Sequence, residues 1–325
     1  MVASADQLLP VVRVGEIESD RSGPRWLVEE LWGAGAVGVL GGAPKCAKTW
    51  LGLDMALSVA TGTACLGRYA VPEPGPVLVY LAEDALPIVR DRIEGMARHR
   101  GIELARVEIY VITAPVLRLD RGSDRARLWE TTKRVRPRLL VLDPLVRLHG
   151  IDENHAGEVA ELLAYFRSLQ RRLDLAVLLV HHTRKNAAGG VAAGAGLRGS
   201  SDIHAFGDSN LYLRRNRDQL VLFSEHRAAP ASPPVCLELV TKSAQTTHLE
   251  VMEEVRDGST GLTVDGRRRS LEEQILDLLA GGAALTRAKL RDSLAVQNER
   301  LGVALESLKR AGRLCRTPTG WQRCG

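Results

Sequence analysis

Lys48 and Thr49 have the types and spacing of side chains that bind a nucleoside triphosphate. They end an eight-residue stretch that reads Gly42, Ala43, Pro44, Lys45, Cys46, Ala47, Lys48 and Thr49. In such a loop the backbone N–H groups point at the phosphates, while the Lys48 ammonium reaches the β and γ groups and the Thr49 hydroxyl holds Mg²⁺. The sequence therefore predicts ATP as a ligand and Mg²⁺ as its cofactor.

The surroundings of this loop fit that chemistry, with one departure. Residues 36–40 form an apolar run typical of a buried strand, and a helical pattern follows the loop and ends at Gly62. The departure is Ala47, which stands where a second glycine is typical. A methyl group there is tolerated at negative φ and strains the loop at positive φ, and the sequence leaves that conformation open.

Carboxylates follow two further predicted strands. Residues 76–81 run into Glu83 and Asp84, where a carboxylate can orient and deprotonate an attacking water. We predict Glu83 as the catalytic base, with Asp84 as the alternative; either could instead cap the following helix. Residues 138–142 end in Asp143, and four aliphatic residues followed by an aspartate are the Walker B pattern, which holds Mg²⁺.

A third aliphatic run, residues 175–180, ends in His181, His182 and Thr183. A polar side chain at this strand end can sense the γ-phosphate, and we assign that role to His182. The alternatives are surface histidines or part of a metal site. Neighbouring residues on a strand point to opposite faces, which disfavours a metal shared by the two histidines.

These motifs resemble the RecA-like ATPases of the RepA plasmid helicase type over residues 26–251. The matching blocks are Gly-Gly-Ala-Pro-Lys-Cys-Ala-Lys-Thr, Val-Tyr-Leu-Ala-Glu-Asp, Leu-Val-Leu-Asp-Pro-Leu with Glu-Asn, Val-His-His-Thr-Arg-Lys and Leu-Arg-Gly-Ser-Ser. The resemblance implies a ring, usually hexameric, with ATP between subunits and single-stranded DNA in the central channel. It also implies the roles given above for Lys48, Thr49, Glu83, Asp143 and His182.

The resemblance also implies an arginine that acts on the neighbouring subunit's site. Related ring helicases place Lys-x-Arg at the end of a late strand, where this chain has Glu225, His226 and Arg227. Arg227 would then stabilise transition-state charge across the subunit interface. Glu225 breaks the pattern where a second cation is expected, and Arg198 is the reserve candidate.

Composition limits the class of protein. The 325 residues can hold one large α/β domain and a small one, and no apolar run approaches the roughly 20 residues of a membrane span. We therefore expect a cytoplasmic protein whose cysteines are reduced. The net charge of +5 belongs to residues 267–325, which carry 12 Lys and Arg against 6 Asp and Glu. That excess suggests a nucleic-acid partner, with a solvated basic face as the alternative.

The chain is predicted to contain an arm (1–24), a RecA-like ATPase domain (25–257), a linker (258–269) and a winged-helix-like domain (270–325). Alternating strand and helix patterns in the second part predict an α/β fold with a mainly parallel sheet. Its further predicted helices are 87–99, 124–135 and 158–173, and its further strands 107–113, 211–213, 220–223 and 237–241. The last three are expected to pair antiparallel, and residues 186–196 to form a loop.

The last part predicts a winged helix-turn-helix domain. Its helices are expected at 271–279, 286–294 and 298–311, and its two strands at 314–316 and 321–323. The third helix would enter a major groove, with phosphate contacts from the wing. The residues assigned to these contacts are Gln297, Asn298, Arg300 and Lys309 on the helix side and Arg316 and Arg323 on the wing. The alternative is a winged helix that binds a protein.

The sequence thus predicts an oligomeric ATPase that acts on DNA, most simply a helicase of a plasmid, phage or other mobile element. RepA-type helicases need no winged helix, so the last domain leaves the replicative role open. One alternative is a DNA-binding regulator in which nucleotide switches assembly and turnover is slow. Another is a replication or recombination loader whose last domain binds a protein.

Overall fold

The computed structural model describes residues 11–17, 25–153, 155–182, 201–216, 219–243, 246–252, 271–280, 284–294, 298–317 and 319–323. The chain forms two compact units, Met1–Met252 and Glu253–Gly325. The predicted linker, residues 186–196, Arg198 and Gln297 lie outside the described residues.

The first unit is built on a nine-stranded sheet. In spatial order its strands are β11 (Thr246–Val251), β10 (Val235–Ser243), β9 (Gln219–His226), β8 (Ser209–Asn216), β3 (Val37–Gly42), β7 (Ala176–His182), β6 (Leu139–Asp143), β4 (Val77–Leu81) and β5 (Ile109–Val111). The strands from β8 to β5 are parallel, and β9 to β11 extend the sheet antiparallel. The predicted α/β fold with a mainly parallel sheet is confirmed.

The pairing of β8 agrees with one expectation and adds to it. Residues 211–213 pair antiparallel with β9, as expected, and β8 also lies parallel to β3, with Leu40 opposite Leu211. A parallel neighbour needs a long crossover connection, and the segment from β7 to β8, which includes α5 (Ser201–Phe206), supplies one. The antiparallel part of the sheet begins with the pair formed by β8 and β9.

Helices cover both faces of this sheet, as a parallel sheet requires. Side chains alternate along β4, where Val77 and Val79 pack on one face and Leu78 and Tyr80 on the other. The first face is covered by α1 (Lys48–Thr61), beside which α2 (Leu86–His99) packs. The helices on the second face are α3 (Gly122–Val135), α4 (Ala156–Leu173) and α5.

Several elements differ from the sequence predictions. A short hairpin, β1 (Trp26–Val28) and β2 (Trp32–Gly33), precedes the sheet, and neither it nor β11 was predicted. The strand expected at 107–113 is shorter in the structure, where β5 follows a 3-10 turn at Leu104–Arg106. Residues 11–17 of the predicted arm are exposed and contain one 3-10 turn, Val14–Glu16.

The second unit contains three helices followed by a two-stranded hairpin. Its elements are α6 (Leu271–Leu278), α7 (Arg287–Leu294), α8 (Asn298–Arg310), β12 (Leu314–Thr317) and β13 (Gly320–Arg323). Leu301, Leu305 and Leu308 of α8 are buried in its core, together with Trp321. Lys309, Arg316 and Arg323 are exposed. These elements follow the predicted order of three helices and two strands.

Two further observations concern the chain as a whole. Among the helices of the described ranges, none combines the length and the apolar character needed to cross a bilayer. Cys46, Cys65 and Cys236 are free thiols, as expected. Cys315 is disulfide-bonded, which corrects the expectation of reduced cysteines; its spacing from the other cysteines matched no pairing pattern in the sequence.

Candidate functional site

The phosphate-binding loop joins the carboxyl end of β3 to the start of α1. Ala47 stands immediately before the helix with φ 64° and ψ 23°, which is the left-handed conformation. An L residue in this region costs roughly 1–2 kcal/mol relative to the right-handed helix. The sequence left the sign of φ at Ala47 open, and the structure shows that it is positive. The loop therefore has a backbone conformation that favours glycine, and the Ala47 methyl group strains it.

Gly42 is required at the start of the loop because its backbone is closely approached. A Cβ atom there would lie 2.6 Å from Cys46 Sγ and 2.6 Å from the carbonyl oxygen of Leu213. Cys46 is buried beneath the loop, and burial raises the pKa of its thiol. The loop is thus packed tightly onto β8 as well as onto its own helix.

Lys48 is buried inside the loop. Its ammonium donates hydrogen bonds to the carbonyl oxygens of Gly42 at 2.9 Å and Ala43 at 2.8 Å. Burial lowers the pKa of Lys48, and the nearby Cys46 and Asp143 partly oppose this. A cation held in a low-dielectric site interacts strongly with an incoming triphosphate, so this lysine is placed for charge neutralisation.

Thr49 and Asp143 form the hard-oxygen pair that Mg²⁺ prefers. The Thr49 hydroxyl donates to Asp143 Oδ2 at 2.6 Å, which joins the first turn of α1 to the end of β6. Burial raises the pKa of Asp143 to about 6, against the opposing effects of Thr49 and Lys48. Since a ligating carboxylate must be ionised, Mg²⁺ affinity at this pair should fall as the pH drops below about 6.

Glu83 and Asp84 follow β4 and both line the pocket above the loop. Glu83 is about half exposed and accepts a 2.8 Å hydrogen bond from Arg147 Nε. Asp84 is more buried and is held at 2.6 Å by Arg92. Ala85 occupies the N-cap of α2, so neither carboxylate takes the capping position that the sequence allowed. The exposed Glu83 is the better placed of the two for a water molecule.

The two histidines at the end of β7 point to opposite faces, as their adjacent positions require. His182 Nδ1 lies 3.3 Å from the Lys48 ammonium and lines the pocket. His181 is buried and faces Glu153, with His181 Nε2 3.8 Å from Glu153 Oε2. The geometry therefore separates them and brings only His182 to the phosphate loop.

Arg227 lies away from this pocket. It follows the last residue of β9, at the sheet edge opposite the phosphate loop of the same chain. Its guanidinium donates to the carbonyl oxygen of Ala205 at 2.9 Å and lies 3.7 Å from Asp208. The place at a strand end is as predicted, but any action on a phosphate would have to be in another subunit.

One cation in the pocket was missed in the sequence. Arg215, on β8, lines the pocket and donates to the carbonyl oxygen of Lys45 at 3.3 Å. In the sequence Arg214 and Arg215 follow the apolar residues 211–213, and only the pairing of β8 with β3 brings this strand end to the loop. Two further arginines were missed: Arg147, whose contact to Glu83 joins residues 64 apart in the sequence, and Arg92, whose contact to Asp84 depends on where α2 begins.

The fold and the pocket together define a RecA-like P-loop ATPase. A parallel sheet carries a phosphate loop, two carboxylate-bearing strand ends and a polar strand end at a single edge, which is where α/β proteins bind ligands. The chain belongs to the AAA domain family AAA_25, which it matches over residues 4–188.

Two solved structures illustrate the fold that the chain shares. It is similar to the RadB recombinase with a TM-score of 0.50 and 17% identity, over 68% of this chain and 92% of that chain. It is also similar to a DnaB-like replicative helicase whose structure was described with its primase interactions. That match has a TM-score of 0.51 and 14% identity, over 66% of this chain and 59% of the helicase chain. At identities this low, the structural similarity shows a shared fold and nothing further.

Proposed function

We propose that this protein is an ATP-hydrolysing, oligomeric DNA helicase or translocase of the RepA type. The observation that carries the proposal is the convergence of Lys48, Thr49, Glu83, Asp143 and His182 on one pocket. These side chains come from three strand ends and one helix start. The two similar structures, a recombinase and a replicative helicase, support a role on DNA.

In this proposal each residue of the pocket has a separate role in phosphoryl transfer. Lys48 and the N–H groups at the start of α1 bind and orient the triphosphate, and Arg215 adds positive charge on the β8 side. Thr49 and Asp143 would hold Mg²⁺, which when bound neutralises charge on the phosphates. Glu83 takes a proton from the attacking water, and His182, beside Lys48, reports the presence of the γ-phosphate to β7.

The alternative base is Asp84, and its surroundings weigh against it. Its carboxylate is engaged by Arg92, which also stacks over Trp50 with a 5.2 Å separation from the ring centre. A carboxylate oxygen that already accepts a hydrogen bond from an arginine is less available to contact a water molecule. Glu83 also has a partner, Arg147, but both side chains are about half exposed, where screening weakens the pair.

The proposal is tested by ATPase rate with and without single-stranded DNA, together with the mass of the assembly. The wild-type rate should rise on addition of single-stranded DNA, and the mass should be a multiple of the subunit. Glu83→Gln should bind ATP normally and hydrolyse it about 10²-fold or more slowly, because the amide cannot accept the proton. Glu130→Gln, an exposed change on α3, is the matched control.

Two results would contradict these assignments. Normal hydrolysis by Glu83→Gln with slow hydrolysis by Asp84→Asn would make Asp84 the base. A rate that is slow in the wild type, unaffected by DNA and coupled to assembly would favour the nucleotide-switched regulator.

The second unit is proposed to be the duplex-DNA reader through a winged-helix arrangement. Removing residues 266–325 should leave basal ATPase activity largely intact, since the nucleotide-binding residues belong to the first unit. Duplex binding should fall, and each lost phosphate contact should flatten its log–log salt dependence by about 0.9. The double variant Arg316→Ala with Arg323→Ala, on the exposed hairpin, should do the same in milder form.

Fluorescence anisotropy with a labelled duplex over a salt series measures this effect. If the truncated chain binds duplex with the same affinity and salt slope as the full chain, the second unit is not the reader. The alternative function, a loader whose second unit binds a protein, would then replace the proposal that this unit binds duplex DNA.

A further inference from the structure

Two histidines and a glutamate form a cluster that the nucleotide site does not use. His248 and Glu250 lie two residues apart on β11, and His99 is the last residue of α2. Residues two apart on a strand share a face, and α2 packs against β11. One potential ligand atom from each of the three side chains lies within 4.8 Å of the other two.

The contacts within the cluster are close. The imidazole rings of His99 and His248 stack with 3.6 Å between centroids and 19° between planes. His248 Nε2 lies 2.7 Å from Glu250 Oε1, and the Lys242 ammonium lies 2.7 Å from the same oxygen. The Lys242 ammonium therefore already occupies a position beside the Glu250 carboxylate and the two imidazoles that a metal cation could take.

A polar atom in this cluster lacks a partner. His248 is buried, at 3% exposure, and its Nδ1 makes no hydrogen bond within the part of the chain that the structure describes. A buried nitrogen without a hydrogen-bond partner destabilises the folded state. Coordination to a metal is one of the few interactions that would satisfy such a ring without adding a protein donor.

We propose that His99, His248 and Glu250 form a binding site for Zn²⁺ or a similar divalent transition metal. Imidazole nitrogens together with a carboxylate oxygen are ligands that zinc accepts, and three protein ligands leave one position open. The site joins the carboxyl end of α2 to the edge strand of the sheet. It is separate from the Thr49 and Asp143 oxygens, which suit the harder Mg²⁺.

The geometry of the three side chains is compatible with this site. Metal bonds of about 2.0–2.1 Å in a tetrahedron put ligand atoms about 3.3 Å apart, so ligand atoms that now lie within 4.8 Å of one another need to move by no more than roughly 1.5 Å. His99 is exposed and can change rotamer to do so.

Zinc titration of the tag-free full-length protein, stripped with a chelator and kept in excess Mg²⁺, tests this site. Calorimetry should give one Zn²⁺ per chain that depends on the cluster, with a rise in Tm on binding. His99→Ala should weaken this binding more than about 10²-fold, since even outer-shell partners of a metal are worth 10–100-fold. His155→Ala, an exposed histidine near the start of α4, is the matched control.

Lys242→Met tests the metal site independently, because it removes the ammonium that competes with the metal for Glu250. It should tighten Zn²⁺ binding, whereas unchanged or weaker binding would overturn the placement of the metal at Glu250. Absence of Zn²⁺ binding by the wild type, or equal binding by His99→Ala, would overturn the site itself. His99 lies on the surface at a helix end, so folding of its variant is checked simply by an unchanged Tm without metal.

Discussion

Lys48→Ala is expected to lose ATP hydrolysis by more than about 10³-fold. A single hydrogen-bond donor to developing charge is worth about 10²–10³-fold, and Lys48 supplies a full positive charge from a buried site. Its removal leaves the triphosphate charge uncompensated at the start of α1. It also takes away the donor that joins the carbonyl oxygens of Gly42 and Ala43.

The measurement separates these two consequences. Steady-state ATPase rate, ATP binding with a fluorescent analogue and thermal unfolding should be compared in the same preparation. Lys133→Ala, which removes an exposed lysine from α3, should match the wild type in all three. Unchanged turnover by a folded Lys48→Ala protein would remove the assignment of the phosphate loop.

Ala47 offers a second control in the same loop, with the opposite sign. Because its φ is 64°, Ala47→Gly should relieve strain of roughly 1–2 kcal/mol in the folded loop, offset in part by the greater freedom of glycine in the unfolded chain. Hydrolysis should be retained. A loop that tolerates glycine at 47 but not alanine at 48 is one in which charge, rather than bulk, decides activity.

Each part of the site that the sequence predicted is encoded in a short run of consecutive residues. The first polar residues after a buried aliphatic run mark the end of the strand in the sequence. Glu83, Asp143 and His182 could therefore be assigned to strand ends without knowing the order of the strands. Because parallel strands present their carboxyl ends at the same edge, these residues meet near Lys48. The mainly parallel α/β fold followed from the same alternation of strands and helices.

The parts that the sequence did not predict depend on long-range pairing or on local backbone conformation. Arg215 reaches the pocket only because β8 lies parallel to β3, which the apolar pattern of residues 211–213 does not specify. The ion pair of Asp84 with Arg92 depends on the start of α2. The left-handed backbone of Ala47 contradicts the preference of its own residue type, and the surrounding loop imposes it.

Arg227→Ala is expected to bind ATP normally and to hydrolyse it about 10³-fold more slowly, if it acts on a neighbouring subunit. An arginine supplied across an interface stabilises the transition state rather than the bound substrate, and is worth about 10³–10⁵-fold in phosphoryl transfer. Within one chain, Arg227 lies at the sheet edge opposite the phosphate loop. It therefore has no route to its own nucleotide, and the predicted effect exists only in an assembly.

A local structural role must be separated from this catalytic one. Arg227 also donates to the carbonyl oxygen of Ala205 and lies near Asp208, so its removal could loosen the region between α5 and β8. Thermal unfolding of Arg227→Ala measures that loosening, and Arg134→Ala on α3 is the matched exposed control. A large fall in Tm with a proportionate loss of ATP binding would assign Arg227 to structure.

Mixing two inactive variants gives the decisive result. Arg227→Ala subunits retain an intact Glu83, and Glu83→Gln subunits retain an intact Arg227, so a mixed assembly contains some interfaces with both residues. Those interfaces should hydrolyse ATP, and activity should rise above that of either variant alone as the ratio approaches equality. Light scattering of the same mixtures reports the mass of the assembly. No recovery, together with a monomeric mass, would remove both the shared site and the ring from this protein.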